Sequence, residues 1–340
     1  MSKPVAVLVA DAHIHPHQQF NTVDADGNSS RVMAGVAALN EALTFATDNQ
    51  AHVFILGDLL HAKDAVPAQV IKPLVHLFEK HKKKGLTAHF LLGNHERPDR
   101  WSEHNTLAWL GVYGRIVTIT EVFTWTPQID VYLFPFHNQV PEQCERLRKL
   151  VSARSQERPE KIRILLGHGT VDGAMADTGV RLSNPELTPA ALWLASFNLS
   201  FWGDIHKPQQ IAPNAWYVGA LMQNNWGERD NPPGFVVLND DLTFAWMPVK
   251  SAPLFKLSDS AEKKIELDSG GAPVAYLRPN AETVAARAME ACGEVRLPIL
   301  GDNLRDAVEA YMRVVPPPES ITINDVVPLI ERSLEEARRA

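Results

Sequence analysis

Five short polar clusters in this 340-residue chain carry side chains of the kind that bind divalent cations. They are Asp11 and His13 in VADAH, Asp58 and His61 in GDLLH, Asn94 and His95 in GNHE, His168 in GHG, and Asp204 with His206 in GDIH. Asp11 and His13 stand two positions apart, a spacing that on extended backbone puts both on one face. Asp11, His13, Asp58, Asn94, His168, Asp204 and His206 together offer oxygen and nitrogen donors without a thiolate. That set suits Mn²⁺, Fe²⁺ or Mg²⁺ better than a structural zinc, which favours four ligands and often sulfur. It is also too large for one ion. If one carboxylate is shared, two ions can lie about 3.5 to 4 Å apart, activate a water and stabilise phosphoryl oxygens during in-line displacement. His95, beside Asn94, is then the spare imidazole that contacts a phosphate and protonates the leaving oxygen.

The surrounding sequence predicts how these groups are positioned. Each cluster ends an apolar run of strand length: 5–13, 52–61, 88–96, 162–170 and 199–207. Continuous apolar runs suit strands buried on both faces, and in all but the first a Gly precedes the polar residue, allowing a sharp turn. Helical patterns lie between the runs. In 31–50, Val32, Val36, Leu39 and Leu43 form one apolar stripe. Segment 66–85 is similar, with Pro73 expected to kink or break it, and 141–156 opens on a Pro suited to a first turn. Alternating strand and helix predict an α/β fold, in which ligands gather outside the carboxyl ends of the strands.

DAH, GDLLH, GNHE, GHG and GDIH, in that order, resemble the five signatures of the calcineurin-like metallophosphoesterases over roughly residues 5–210. One strand-end Asp or His is more often a capping or loop residue; five such clusters in this order reverse that weighting. GDLLHAKDAVP, GDIHKPQ and YVGALMQNNWGERDNPPGF (217–235) are further similar to SbcD and its eukaryotic double-strand-break repair counterparts, including phage-type versions. The resemblance implies a four-layered α/β/β/α core over 1–235 and a smaller C-terminal α+β module over 236–340. It also implies that Asp11, His13 and His206 hold a first ion, Asp58 bridges, and Asn94 and His168 hold a second. His95 matches the catalytic histidine, and His61 a neighbour that orients it or contacts DNA. Where the family reads GHxH this chain reads GDIH, so Asp204 either replaces a second-metal histidine or hydrogen-bonds to a ligand. The implied activity is a Mn²⁺- or Mg²⁺-dependent DNA exo/endonuclease working with an SbcC-like coiled-coil ATPase, with homodimerisation left open. A phosphomonoesterase or small-molecule phosphodiesterase would use the same metals, and a scaffold with a relic site is disfavoured by the presence of both Asn94 and His95.

Composition bounds these readings. A formal charge of −7 argues against a wholly basic nucleic-acid glove, and the Lys- and Arg-rich stretch 146–163 reads first as a solvated helix face. Cys144 and Cys292, far apart in sequence, allow neither a disulfide framework nor a cysteine zinc site and fit a reducing cytoplasm. The first apolar run meets Asp11 too soon for a signal segment or a membrane span. His15 and His17 read as solvated loop histidines, His137 as half-buried, and Trp193, Phe197, Phe201 and Trp202 as core. Segment 231–250 reads as two strands across an Asn-Asp-Asp turn, 258–271 as a polar junction, and 273–279 as a strand. Helical patterns follow at 281–292, 302–314 and in the amphipathic segment 323–340, which either packs on its own module or docks a partner.

Overall fold

The computed structural model describes residues 2–98, 104–137, 139–176, 180–182, 196–258, 264–267 and 273–279. All but Pro279 fall within a compact unit, Met1–Arg278. The helical patterns beyond residue 280 lie outside the described residues, as does Trp193.

Two six-stranded sheets form the body. Strands β1 (Pro4–Val9), β2 (His52–Leu56), β3 (Ala88–Leu91) and β4 (Gly114–Val117) are parallel neighbours in the first. Antiparallel β11 (Gly234–Asn239) and β12 (Phe244–Pro248) extend it beyond β1. The second sheet runs in the order β5 (Glu121–Thr126), β6 (Ile129–Phe134), β7 (Ile162–His168), β8 (Leu199–Gly203), β10 (Ala215–Tyr217) and β9 (Gln209–Ala212). Its motif-bearing strands β7 and β8 are again parallel. Residue 235 thus lies inside β11, a strand hydrogen-bonded to β1.

Strand alternation sorts the apolar residues into three cores. Val7, Val9, Val53, Ile55, Phe90 and Val237 face helices α1 (Ser30–Asn49) and α2 (Ala68–Lys82), meeting Leu39, Leu43, Leu74 and Phe78. Their neighbours Ala6, Leu8, Phe54, Leu56, Leu91 and Val236 point the other way, against Val131, Leu133, Ile164, Leu166 and Phe201 of the second sheet. The far face of that sheet places Tyr132, Leu165 and Trp202 against Cys144 and Leu147 of α3 (Val140–Glu157). The layers run α/β/β/α. Phe197, Phe201 and Trp202 are core residues, and the charges on α3 are solvated, with Arg148 53% and Lys149 76% exposed.

Two local expectations are corrected. Pro73 does not break α2, which runs continuously from Ala68 to Lys82. Its ring nitrogen removes only the one amide that would pair with the Gln69 carbonyl, a single bond in a helix of 15 residues. The polar junction contains β14 (Lys264–Leu267), which pairs with β15 (Pro273–Pro279) and completes a small three-stranded sheet with β13 (Leu254–Ser258). Cross-strand pairing overrides its polar composition. Among the described residues no helix is long and apolar enough to cross a membrane.

Candidate metal centre

The motif strands of both sheets end at one edge, and the loops that follow stay stitched together. The Asp11 amide donates to Gly57 O at 3.2 Å, His13 N to Asp58 O at 2.9 Å, and Gly169 N to Gly203 O at 3.3 Å. This convergence explains the Gly before the polar residue in every cluster but the first. A Cβ on Gly57, whose φ is +85°, would lie 2.1 Å from His168 Nδ1, and one on Gly93 would lie 2.0 Å from Asp58 Oδ1. Four proposed ligands themselves hold positive φ: Asp11 at 50°, His13 at 43°, Asp58 at 51° and Asp204 at 100°. Such backbone costs roughly 1–3 kcal/mol per residue and gathers where a site over-determines it.

The side chains converge as well. Among the described residues, Asp11, His13 and His206 offer donor atoms within 4.8 Å of one another, as do Asp11, Asp58 and His168, and His13, His61 and His95. His13 Nε2 lies 3.1 Å from His206 Nε2 and 3.4 Å from Asp58 Oδ2. On the other side His168 Nε2 lies 3.6 Å from Asp58 Oδ1, 3.4 Å from Asn94 Oδ1 and 3.9 Å from Asp204 Oδ1. Asp58 therefore sits between the two groups. Backbone and carboxylate partners aim the rings: His168 Nδ1 donates to Leu56 O at 2.6 Å, and His206 Nδ1 is 2.9 Å from Glu228 Oε1. Both leave Nε2 turned inward, the arrangement that suits metal ligation.

Asp204 is placed differently from the rest. One carboxylate oxygen accepts from the Thr170 hydroxyl, the other faces His168 Nε2, and its amide donates to both Asp11 oxygens at 3.1 Å. It does not orient either ligand ring through Nδ1, because Leu56 O and Glu228 already meet those atoms.

Asn94 lies against Asp58 at the side of the donor set. The Asn94 side-chain oxygen faces only acceptors, and turning the amide over would instead give hydrogen bonds to Asp58 at 3.1 and 2.8 Å. The surrounding carboxylates and imidazoles, whose donor atoms in each group lie within 4.8 Å of one another, are what fit a cation. Without one, protons must balance the buried charge. Burial, above all, pushes Asp11 up to about 7, reinforced by Asp58 and Asp204 and opposed by His168 and His206. Burial alone would lower His168, but Asp58, Asp11 and Asp204 more than offset it and raise it to about 9. His13 is held well below its usual range by burial and by the neighbouring imidazoles His206, His95 and His61, so it is a neutral donor.

His95 lies outside the ring of carboxylates. Its Nδ1 donates to His61 O at 2.7 Å, its amide donates to Asp58 Oδ1 at 2.9 Å, and its ring stacks on His61 with centroids 4.9 Å apart. His61 Nδ1 in turn meets His13 Nδ1 at 3.2 Å. His15 and His17 are half-buried rather than solvated, their rings 5.3 and 5.0 Å from that of His61.

Three supporting residues were absent from the ligand set read in the sequence. Glu96, wholly buried, accepts from the amides of Asp58, Leu60 and Gly93 at 2.8, 3.0 and 2.7 Å, tying the loop after β2 to the loop after β3. Its only signal was its place in GNHE. Glu228 meets His206 from 22 residues further along the chain. Tyr217 accepts from Val171 N at 2.7 Å and donates to Gly169 O at 2.9 Å, pinning the loop after His168.

A family model for the calcineurin-like phosphoesterases matches residues 6–208. The chain belongs to that family. Among solved structures it is similar to a dimetal phosphatase from Danio rerio, at 11% identity and a TM-score of 0.45, covering 73% of this chain and 100% of that one. No curated protein matches. The phosphoesterase thus combines two mixed sheets with a site of buried His and Asp groups suited to two divalent ions, whose identity the donor set does not fix.

Proposed function

We propose that this phosphoesterase is a Mn²⁺-dependent DNA exo/endonuclease, the SbcD-like subunit of an assembly with an SbcC-like coiled-coil ATPase. The observation that carries the reading is segment 217–235, whose sequence is similar to the nuclease branch and whose residues Tyr217 and Glu228 close against His168's loop and His206. In this reading Asp11, His13 and His206 hold one ion, Asn94, His168 and Asp204 hold the other, and Asp58 is shared. Two bound cations would stabilise the phosphoryl oxygens and lower the pKa of an attacking water. The protein's own work is placement and proton transfer. His95, with Nδ1 committed to His61 O, keeps Nε2 for the departing oxygen.

The test is incubation of purified protein with labelled duplex and single-stranded DNA, with Mn²⁺, with Mg²⁺ and with chelator, beside a chromogenic phosphoester. Metal-dependent DNA cleavage is expected. Rapid turnover of the chromogenic ester with DNA left intact would replace the nuclease reading by a small-molecule phosphoesterase. Removal of residues 319–340 should spare cleavage of short DNA and abolish ATP-stimulated activity in the complex with the ATPase; unchanged stimulation would refute that docking.

A further inference from the structure

Arg31 is an unusual residue for its position. It is 2% exposed in the first turn of α1, where the helix dipole disfavours positive charge, and among the described residues its Nε and Nη1 atoms meet no hydrogen-bond partner. What it does contact forms a continuous line. Its Nη2 donates to Asn224 O at 2.9 Å, the Asn224 amide donates to Glu228 Oε2 at 2.9 Å, and Glu228 Oε1 meets His206 Nδ1 at 2.9 Å. On the other side its guanidinium lies over the rings of Tyr276 and Phe255, 4.8 and 5.4 Å from their centroids. Those rings belong to β15 and β13 of the small sheet, and Phe255 N donates to Gln223 Oε1 at 2.7 Å. Segment 223–228 is thus gripped by the small sheet through Gln223 and Arg31, and grips His206 through Glu228.

We propose that Arg31 is a positioning residue for the metal centre, transmitting the seating of the small sheet, through Asn224 and Glu228, to the orientation of His206. The physical reason is the stiffness of each link. Glu228 and Gln223 are buried, 2% and 3% exposed, and a shift of segment 223–228 rotates the carboxylate that fixes the His206 ring. A buried cation is costly, so its presence beside aromatic rings is explained by the place it holds rather than by stability. The proposal rests on His206 being a metal ligand.

The experiment is calorimetric titration of the full-length, chelator-treated protein with Mn²⁺. Glu228→Gln should weaken one of two sites about 10- to 100-fold, the usual effect of losing the carboxylate partner of a ligand histidine. Arg31→Met should weaken the same site alone, about 2- to 30-fold, the range of mutations lying between coupled sites. The double variant should bind no more weakly than Glu228→Gln, because both act through one line. Tyr276→Leu, approaching the guanidinium from the sheet side, is measured in parallel in case Arg31→Met disturbs folding, and should weaken that same site. Wild-type affinity in Arg31→Met and Tyr276→Leu, equal weakening of both sites, or losses that multiply in the double variant would overturn the proposal. His206→Ala separates the two levels: if it retains both ions the ligand assignment itself fails, whereas loss of one ion with a neutral Arg31→Met defeats the coupling alone.

Discussion

Replacing Glu96 by Gln tests whether the centre depends on the carboxylate that joins its two central loops. In the structure Oε2 accepts from Asp58 N and Gly93 N while Oε1 accepts from Leu60 N. Gln keeps an oxygen on one side only. If that oxygen faces Asp58 and Gly93, the amide NH₂ is driven against the Leu60 N–H, so one bond is lost and a buried donor is left unpaired. Loss of a hydrogen bond to a charged group and stranding of a buried donor together amount to about 2–4 kcal/mol. The cost depends on whether metal is bound. Without cations, burial first and Asp58 second push Glu96 up to about 8, so near pH 7 it is largely protonated and Gln is a close substitute. Bound cations favour the carboxylate, and Gln then loses most. Glu96→Gln should therefore destabilise the Mn²⁺-loaded protein to urea by more than it destabilises the chelated protein. The difference should appear as roughly 10- to 100-fold weaker Mn²⁺ binding by calorimetry. Equal destabilisation of the two forms with unchanged Mn²⁺ affinity would refute the reasoning.

Other outcomes follow from the same geometry. His95→Ala should keep both metals by elemental analysis while lowering turnover about 10²- to 10⁴-fold, the contribution of a positioned acid; loss of an ion would make it a ligand instead. Asp204→Ala should lose an ion and most activity, whereas Asp204→His should keep two and shift preference from Mn²⁺ toward softer Zn²⁺, since an imidazole replaces a hard oxygen; retention of two ions and near-normal cleavage by Asp204→Ala would remove it from the ligand set. Chelated protein should lose stability as pH rises from about 6.5 toward 9, the upper half of the window between the ordinary and the folded-state pKa values. Asp11 and Glu96, raised to about 7 and 8, and His168, raised to about 9, all bind protons in the folded state that the unfolded chain has released. Urea midpoints at pH 6.5 and 8.5, with and without Mn²⁺, check this. Parallel pH profiles with and without metal would show that these groups do not respond to the cations.

Much of this protein is legible in one dimension. The apolar runs, with Gly next to a ligand-type residue, gave strand ends and donor chemistry together, because a strand buried on both faces needs unbroken hydrophobicity and a crowded loop tolerates little more than Gly. Asp11 with His13, and Asp204 with His206, are local pairs whose two-residue spacing can be read without a fold. The helix over Ser30–Asn49 was visible for a similar reason, since its apolar periodicity is contained within the segment, and that over Val140–Glu157 was marked by the Pro in its first turn.

Other features depend on groups distant in sequence, and only the tertiary structure decided them. Periodicity does not say that β1, β2 and β3 lie in one sheet and β7 and β8 in the other, because every one of these runs is equally apolar. Nor does it show that Gly57 must leave room for His168, 111 positions away, since the collision exists only once the sheets face each other. Glu96 and Glu228 read as ordinary acidic residues until folding removes them from water and brings Asp58 N and His206 within hydrogen-bonding distance. Pro73 looked like a helix breaker and β14 like a linker because propensity is a local preference of about a kcal/mol or so per residue for strands, and a few for Pro, which packing and pairing override. The sequence therefore determined which chemistry the chain carries and at which strand ends. Folding determined which donor groups come together, which carboxylates meet them, and that Arg31 lies in a line of contacts reaching His206.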